Sequence, residues 1–172
     1  MKNDILFFVK NPSHSSCQFR NDNFSFVIWY PKSLYKPKGI LFVKYIVWFF
    51  FHIFHIFNSK LFSINLLYLD GKLVHHTFIF PSFYRFPFMG VDDLQFGDIW
   101  TSDDFKNLGI ASSSLKYLLE IYSRKKIWFL CDKSNEASVK LAIKCGFELV
   151  GTGTKKSRFL NIFSQYIPLK KI

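Results

Sequence analysis

Apolar and polar positions alternate with two different periods along the chain, and the period assigns the elements. Residues 5–9 (ILFFV) and 24–30 (FSFVIWY) are short β-branched and aromatic runs that predict strands, the second closed by Pro31. The stretch PKSLYKPKG reads as a loop. Residues 40–57, ILFVKYIVWFFFHIFHIF, are apolar enough to raise the question of a membrane helix. Their less apolar members Lys44, Trp48, His52 and His55 recur at helical spacing and share one face, so the segment predicts an amphipathic helix with a narrow polar stripe turned to solvent or to a cleft. A buried core helix is the first reading of it, a membrane-surface helix the second and a spanning helix the third. SINLLYLDGKLVHHTFIFP predicts a hairpin, because two apolar runs flank Asp70-Gly71, a dipeptide suited to a type I′ turn. Residues 93–101 predict a further strand, 109–122 a helix of about four turns, and KKIWFLCD a buried strand. NEASVKLAIKCG predicts a helix capped by Asn135 and ended by Gly146. The tail, 147–169, reads as two strands around a Gly/Thr/Lys turn. From residue 63 the order is β-β-β-α-β-α-β-β, a mixed α/β pattern.

Composition changes this picture little. A chain of 172 residues suits one domain with a sizeable core. The formal charge of +11 calls for an anionic partner, whether nucleic acid, membrane or phosphorylated ligand. The basic residues are mostly lysines scattered along the chain, which favours a solvated basic surface over a nucleic-acid face. The abundance of Lys, Phe, Ile and Asn, with only three alanines, is also what AT-rich coding produces. Cys17, Cys131 and Cys145 are odd in number and widely spaced, and fit neither a disulfide framework nor a zinc pattern. A cytoplasmic location without export is the expectation, because the apolar run at the start is too short for a signal peptide. No metal site, Walker motif or G-x-S-x-G elbow is expected.

Candidate chemistry concentrates where the strand 93–101 passes into the helix 109–122. Lys106-Asn107-Leu108-Gly109-Ile110-Ala111, followed by Ser112, puts small residues at a helix start, where backbone N–H groups and the helix dipole attract phosphate. This block resembles the Q/R-x-x-G-x-G/A acyl-CoA signature of the GNAT superfamily of N-acyltransferases, with Lys106 in place of Gln or Arg. A second block, Asn135-Glu136-Ala137-Ser138 followed by Lys144-Cys145-Gly146-Phe147, resembles the family's N-x-x-A/S to K-x-G-F stretch. The two blocks cover about residues 93–151, while residues 1–60 are similar only in outline.

The resemblance implies a GNAT fold, a mixed and mostly antiparallel sheet of about six to seven strands flanked by helices. It implies acetyl-CoA as the acyl donor, held by Lys106, Asn107, Leu108, Gly109, Ile110, Ala111, Ser112 and Asn135, with no metal. Backbone N–H groups near Ile99 and Thr101 would stabilise the tetrahedral intermediate formed when an amine attacks the thioester. The position at which many members carry a tyrosine acid is Ala142, so Ser138 and Cys145, on the same helical stripe, are the candidates to assist thiolate departure. Gln95 stands where some members carry a glutamate; Asp98 is therefore the first candidate base, followed by Asp93, His75 and His76. The implied activity is N-acetylation of a primary amine on a small acceptor, with an amino sugar of a surface-polysaccharide pathway as the preferred case. The competing expectation is a catalytically silent module of the same fold that binds acyl-CoA, a protein partner or, through residues 40–57, the membrane surface.

Overall fold

The structure, a computed structural model, describes residues 4–12, 24–158 and 163–169. Eight strands of the described residues form one sheet: β1 (Asp4–Lys10), β2 (Phe24–Trp29), β3 (Ser63–Leu69), β4 (Lys72–Pro81), β5 (Leu94–Thr101), β6 (Ile127–Asp132), β7 (Glu148–Arg158) and β8 (Phe163–Pro168). Among the described residues three α-helices accompany them: α1 (Phe42–Ile53), α2 (Ile110–Ile121) and α3 (Glu136–Lys144). The sheet order is β2-β3-β4-β5-β6-β1-β7-β8. Every neighbouring pair is antiparallel except β5 and β6. The α/β class and the element order from residue 63 are as the pattern predicts, with a somewhat larger sheet than expected. The hairpin forms at Asp70-Gly71, where both residues take positive φ, 50° and 72°, as a type I′ turn requires.

Strand alternation divides the core between the two faces. Phe78 and Phe80 of β4 join α1 residues Tyr45 and Phe49 in one cluster. Ile79, with Leu94 and Phe96 of β5 and Leu6 and Phe8 of β1, packs under Leu115 and Leu118 of α2 and Ala142 of α3. Thus α1 covers one face and the α2/α3 pair the other.

Two expectations need correction. The apolar helix is shorter than 40–57: it spans Phe42–Ile53 and stops because the chain reverses at Phe54-His55-Ile56, with His55 at φ 53°. The outward side of α1 is apolar, with Val43 74%, Phe54 68% and Phe42 54% exposed, whereas Lys44 and Trp48 turn inward to line a cavity. The Gly/Thr/Lys segment of the tail is strand rather than turn, since β7 runs through it to Arg158. Gly153 is there for close approach: a methyl group at that position would overlap the Ile167 carbonyl oxygen on β8 and the Phe7 ring on β1.

Candidate active site

β5 and β6 are hydrogen-bonded only from Leu94↔Ile127 to Phe96↔Phe129, although β5 continues to Thr101 and β6 to Asp132. Beyond Phe96 each follows its other neighbour, β4 or β1, and the parallel pair opens into a V. The departure is built into β5 by a bulge. The register with β4 shifts between His76 and Phe78, leaving Asp98 and Ile99 without partners there, and Asp98 takes φ 47°. A cavity lies on each face of the sheet at this opening.

The first cavity, about 490 Å³, lies between α2 and α3. Of the predicted residues it brings together Ile99, Thr101, Lys106, Asn107, Gly109, Ile110, Ala111, Ser112, Asn135 and Ser138. The local chain dictates its shape. Asn107 (φ 63°) and Gly109 (φ 80°) both adopt the left-handed conformation, which turns the backbone sharply into α2. No side chain caps α2, and its first backbone donor to a helical carbonyl is Ser113 N–H on Gly109 O at 2.9 Å. The N–H groups of the preceding turn therefore open on the cavity. Added to them are the ammonium groups of Lys106, Lys140 and Lys144 along the lining, the first two paired with Asp103 and Glu136. Free N–H groups, a helix dipole and lysines make a cradle that fits a pyrophosphate. Asn135 Oδ1 caps α3 by accepting from Ser138 N–H at 3.1 Å, which leaves its amide hydrogens for a ligand.

Three predicted site residues, Leu108, Cys145 and Asp98, lie elsewhere, and Ala142 is likewise outside this cavity. Leu108 is 68% exposed and does not line the cavity. Cys145 is buried below it, its thiol directed at Ser112 O at 3.8 Å, and burial pushes that thiol up to about 11. Ala142 is wholly buried in the core between α2, α3 and the sheet. Asp98 belongs to the other cavity.

That second cavity, about 330 Å³, lies on the α1 face and is lined by Lys44, Trp48, Arg85, Gln95, Gly97, Asp98 and aromatic side chains. Its Asp98 meets the Lys44 ammonium at 2.8 Å. Because Asp98 lines this cavity and the adjacent Ile99 lines the first, the bulge is where the two meet. The histidine pair divides as strand alternation requires. His75 hydrogen-bonds Thr101 Oγ1 at 2.9 Å and Thr77 Oγ1 at 3.1 Å, and burial drives it down to about 3. His76 stacks on Trp100 with neither ring nitrogen in a hydrogen bond among the described residues. Burial lowers it to about 4, against the opposing pull of Asp98. Sequence patterning finds Lys44 and Trp48 through their helical spacing; Arg85, in the aromatic loop after β4, has no sequence signal of this kind.

A parallel pair splayed at a bulge, with a cradle that fits a pyrophosphate on one face and a separate cavity on the other, offers a phosphorylated ligand and a second small molecule adjoining places. The profile of the Acetyltransferase (GNAT) family matches residues 25–147, and the chain belongs to that family. Its members in general use acetyl-CoA. A GNAT-family acetyltransferase from Colwellia psychrerythraea superposes with a TM-score of 0.58 at 14% identity, over 98% of this chain and 57% of that one. A tandem GNAT protein from the clavulanic acid biosynthesis pathway superposes with a TM-score of 0.59 at 9% identity, over 89% and 52%. A putative acetyltransferase of the GNAT family from Novosphingobium aromaticivorans gives 0.53 at 9% identity, over 88% and 62%. At these identities the likeness is one of fold, and the chain spans only about half to three fifths of each of these structures. Comparison with the curated proteins finds no significant match. Among the described residues no three His, Cys, Asp or Glu side chains cluster as metal ligands, and no helix is long and apolar enough to cross a membrane.

Proposed function

We propose that the chain transfers an acetyl group from acetyl-CoA, bound between α2 and α3, to a primary amine held in the α1-face cavity. The observation that carries this is the opening of β5 from β6 with a cavity on each face, because it offers a thioester and an amine a common meeting point inside the sheet. The lysines and N–H groups at Lys106–Ser112 would hold the pyrophosphate, with the Asn135 amide beside the more distal part of the donor. The N–H groups that the bulge releases from β4 would meet the thioester carbonyl oxygen as negative charge develops on it. Asp98 is the only acidic residue lining the acceptor cavity among the described residues, and is assigned as the base that takes a proton from the ammonium form of the acceptor. It must share that role with its ion pair to Lys44. Ser138 is the hydroxyl of α3 available to the departing thiolate. An amino sugar is one amine of suitable size; the cavity is at the small end of ligand sites.

The test is direct. Acetyl-CoA should raise the melting temperature, because a ligand bound only by the folded state stabilises it by mass action. Gly109→Val, which places a branched side chain at φ 80° in the cradle, should abolish the shift in a folded protein. Thiol release from acetyl-CoA should then appear with a member of an amine panel. An unchanged shift in folded Gly109→Val, or no release with any amine, overturns the reading.

A second, binding reading is favoured by the outward face of α1. Leu41 (72% exposed), Phe42, Val43, Val47, Phe50 and Phe54 form an apolar surface, and the preceding loop carries Lys32, Lys36 and Lys38. An apolar helix face flanked by lysines suits an anionic membrane surface. Salt-sensitive sedimentation with phosphatidylglycerol vesicles, lost in Val43→Glu/Phe50→Glu, is the expected result. No vesicle binding at low salt refutes it.

A further inference from the structure

The α1-face cavity holds a positive charge that the acyl-transfer reading leaves unused. Arg85 lies in the loop between β4 and β5, fixed where Tyr166 N–H donates to its carbonyl oxygen at 3.0 Å. Its guanidinium sits over two rings, 5.2 Å from the centroid of Trp48 and 5.8 Å from that of Phe83. Those contacts hold a cation in place and strip water from its faces. They give its N–H groups nothing to donate to. The Arg85 Nε is buried and has no hydrogen-bond partner, and no carboxylate lies within ion-pair distance of the side chain among the described residues. Asp98, the acid of the same cavity, is neutralised by Lys44 at 2.8 Å.

A buried N–H donor without a partner is costly, and a guanidinium fork matches the two oxygens of a carboxylate or phosphate. A second polar group points the same way. Gln95, on the same lining, spends its Nε2 on Phe96 O at 2.8 Å, and its buried Oε1 has no partner among the described residues. The cavity thus combines an unpaired cation, which calls for an oxyanion, with an unpaired carbonyl oxygen, which calls for an N–H donor. Its other walls are mostly aromatic, with Leu130 beside them.

We infer that the acceptor is a small amine that also carries an oxyanion, a carboxylate or a phosphate, and that Arg85 binds this group and selects for it. The amine of the same molecule lies toward Gln95 and Asp98 at the bulge. This rests on the acyl-transfer reading for the identity of the amine as acceptor, but the recognition itself does not depend on turnover.

Calorimetric binding to the full chain separates the two. Matched pairs serve as probes: 4-aminobutanoate against 4-aminobutanamide for a carboxylate, and glucosamine 6-phosphate against glucosamine for a phosphate. In at least one pair the anionic member should bind at least about tenfold more tightly, the scale of one charge-assisted hydrogen bond. Arg85→Gln should remove that preference. Arg85→Lys, which keeps the charge and loses the fork, should retain part of it and serves if the first variant does not fold; melting temperatures check folding of both. The pair that shows the preference identifies the oxyanion. No preference in either pair, including no binding by any of the four compounds, overturns the inference, as does a preference that survives in folded Arg85→Gln. Binding with the expected preference but without thiol release would leave this inference standing and count against acyl transfer. Thiol release without the preference would do the reverse.

Discussion

His76 offers a test of the interior on which the bulge rests. Its ring is buried against Trp100 (centroids 5.3 Å apart) and Phe78, and neither nitrogen has a hydrogen-bond partner among the described residues. Burial lowers it from 6.5 to about 4 in the folded chain, so at neutral pH it is uncharged when folded and mostly uncharged when unfolded. As pH falls below 6.5 the unfolded chain takes up a proton that the folded chain refuses until about pH 4, and stability is lost across that window. Between pH 7 and pH 5 the linkage amounts to about 2 kcal/mol from His76. His75, lowered to about 3, contributes a similar loss. Together they remove about 4 kcal/mol, a large part of the roughly 5–15 kcal/mol available to a domain.

His76→Phe keeps a ring for the stack and removes both the titrating group and two unsatisfied nitrogens. At pH 7 the variant should be at least as stable as the wild type, because a buried polar atom without a partner costs about 1–3 kcal/mol. Between pH 7 and pH 5 it should lose about 2 kcal/mol less than the wild type. With a urea dependence of about 2 kcal/mol per molar, that difference moves the midpoint by about 1 M. Urea unfolding followed by tryptophan fluorescence at the two pH values measures it. Equal losses in wild type and variant would refute a neutral, buried His76, and with it the packing assigned to the β4–β5 bulge.

Three further outcomes are expected. Asp98→Asn should slow thiol release by about a hundredfold to ten-thousandfold while the acetyl-CoA melting shift persists; a rate within threefold of wild type would assign the base elsewhere. Ala142→Tyr should cost about 1–3 kcal/mol in thermal or urea unfolding without accelerating thiol release, since the methyl group is wholly buried in the core and not at the cavity; a faster variant would mean that the ring reaches the thioester. Gly153→Ala should lower the melting temperature by several degrees, because the added methyl would strike the Ile167 carbonyl and the Phe7 ring; an unchanged value would show that β8 is free to move away from β7.

What the sequence determined by itself is whatever neighbouring residues encode. The Asp70-Gly71 turn, the Asn135 cap on Ser138 N–H and the left-handed Gly109 at the start of α2 are set within a few residues of chain. The turn that lines the cavity between α2 and α3 was legible for the same reason: a turn and the helix start that follows are local objects. The tertiary structure decided what depends on residues far apart. β1 pairs with both β6 and β7, with Phe7 opposite Leu130 on one side and Gly151 on the other, an insertion that no local pattern announces. The direction of α1 was equally undecided. Its stripe is identifiable from spacing, but only packing against Phe78 and Phe80 turned Lys44 and Trp48 inward and left the phenylalanines of the other side exposed. The α1-face cavity draws on α1, the aromatic loop, the β5 bulge, Leu130 and Tyr166. Its charge balance, with Lys44 committed to Asp98 and Arg85 left without a counter-charge among the described residues, arises only once those segments meet, because pairing depends on distances that the linear order of residues does not contain.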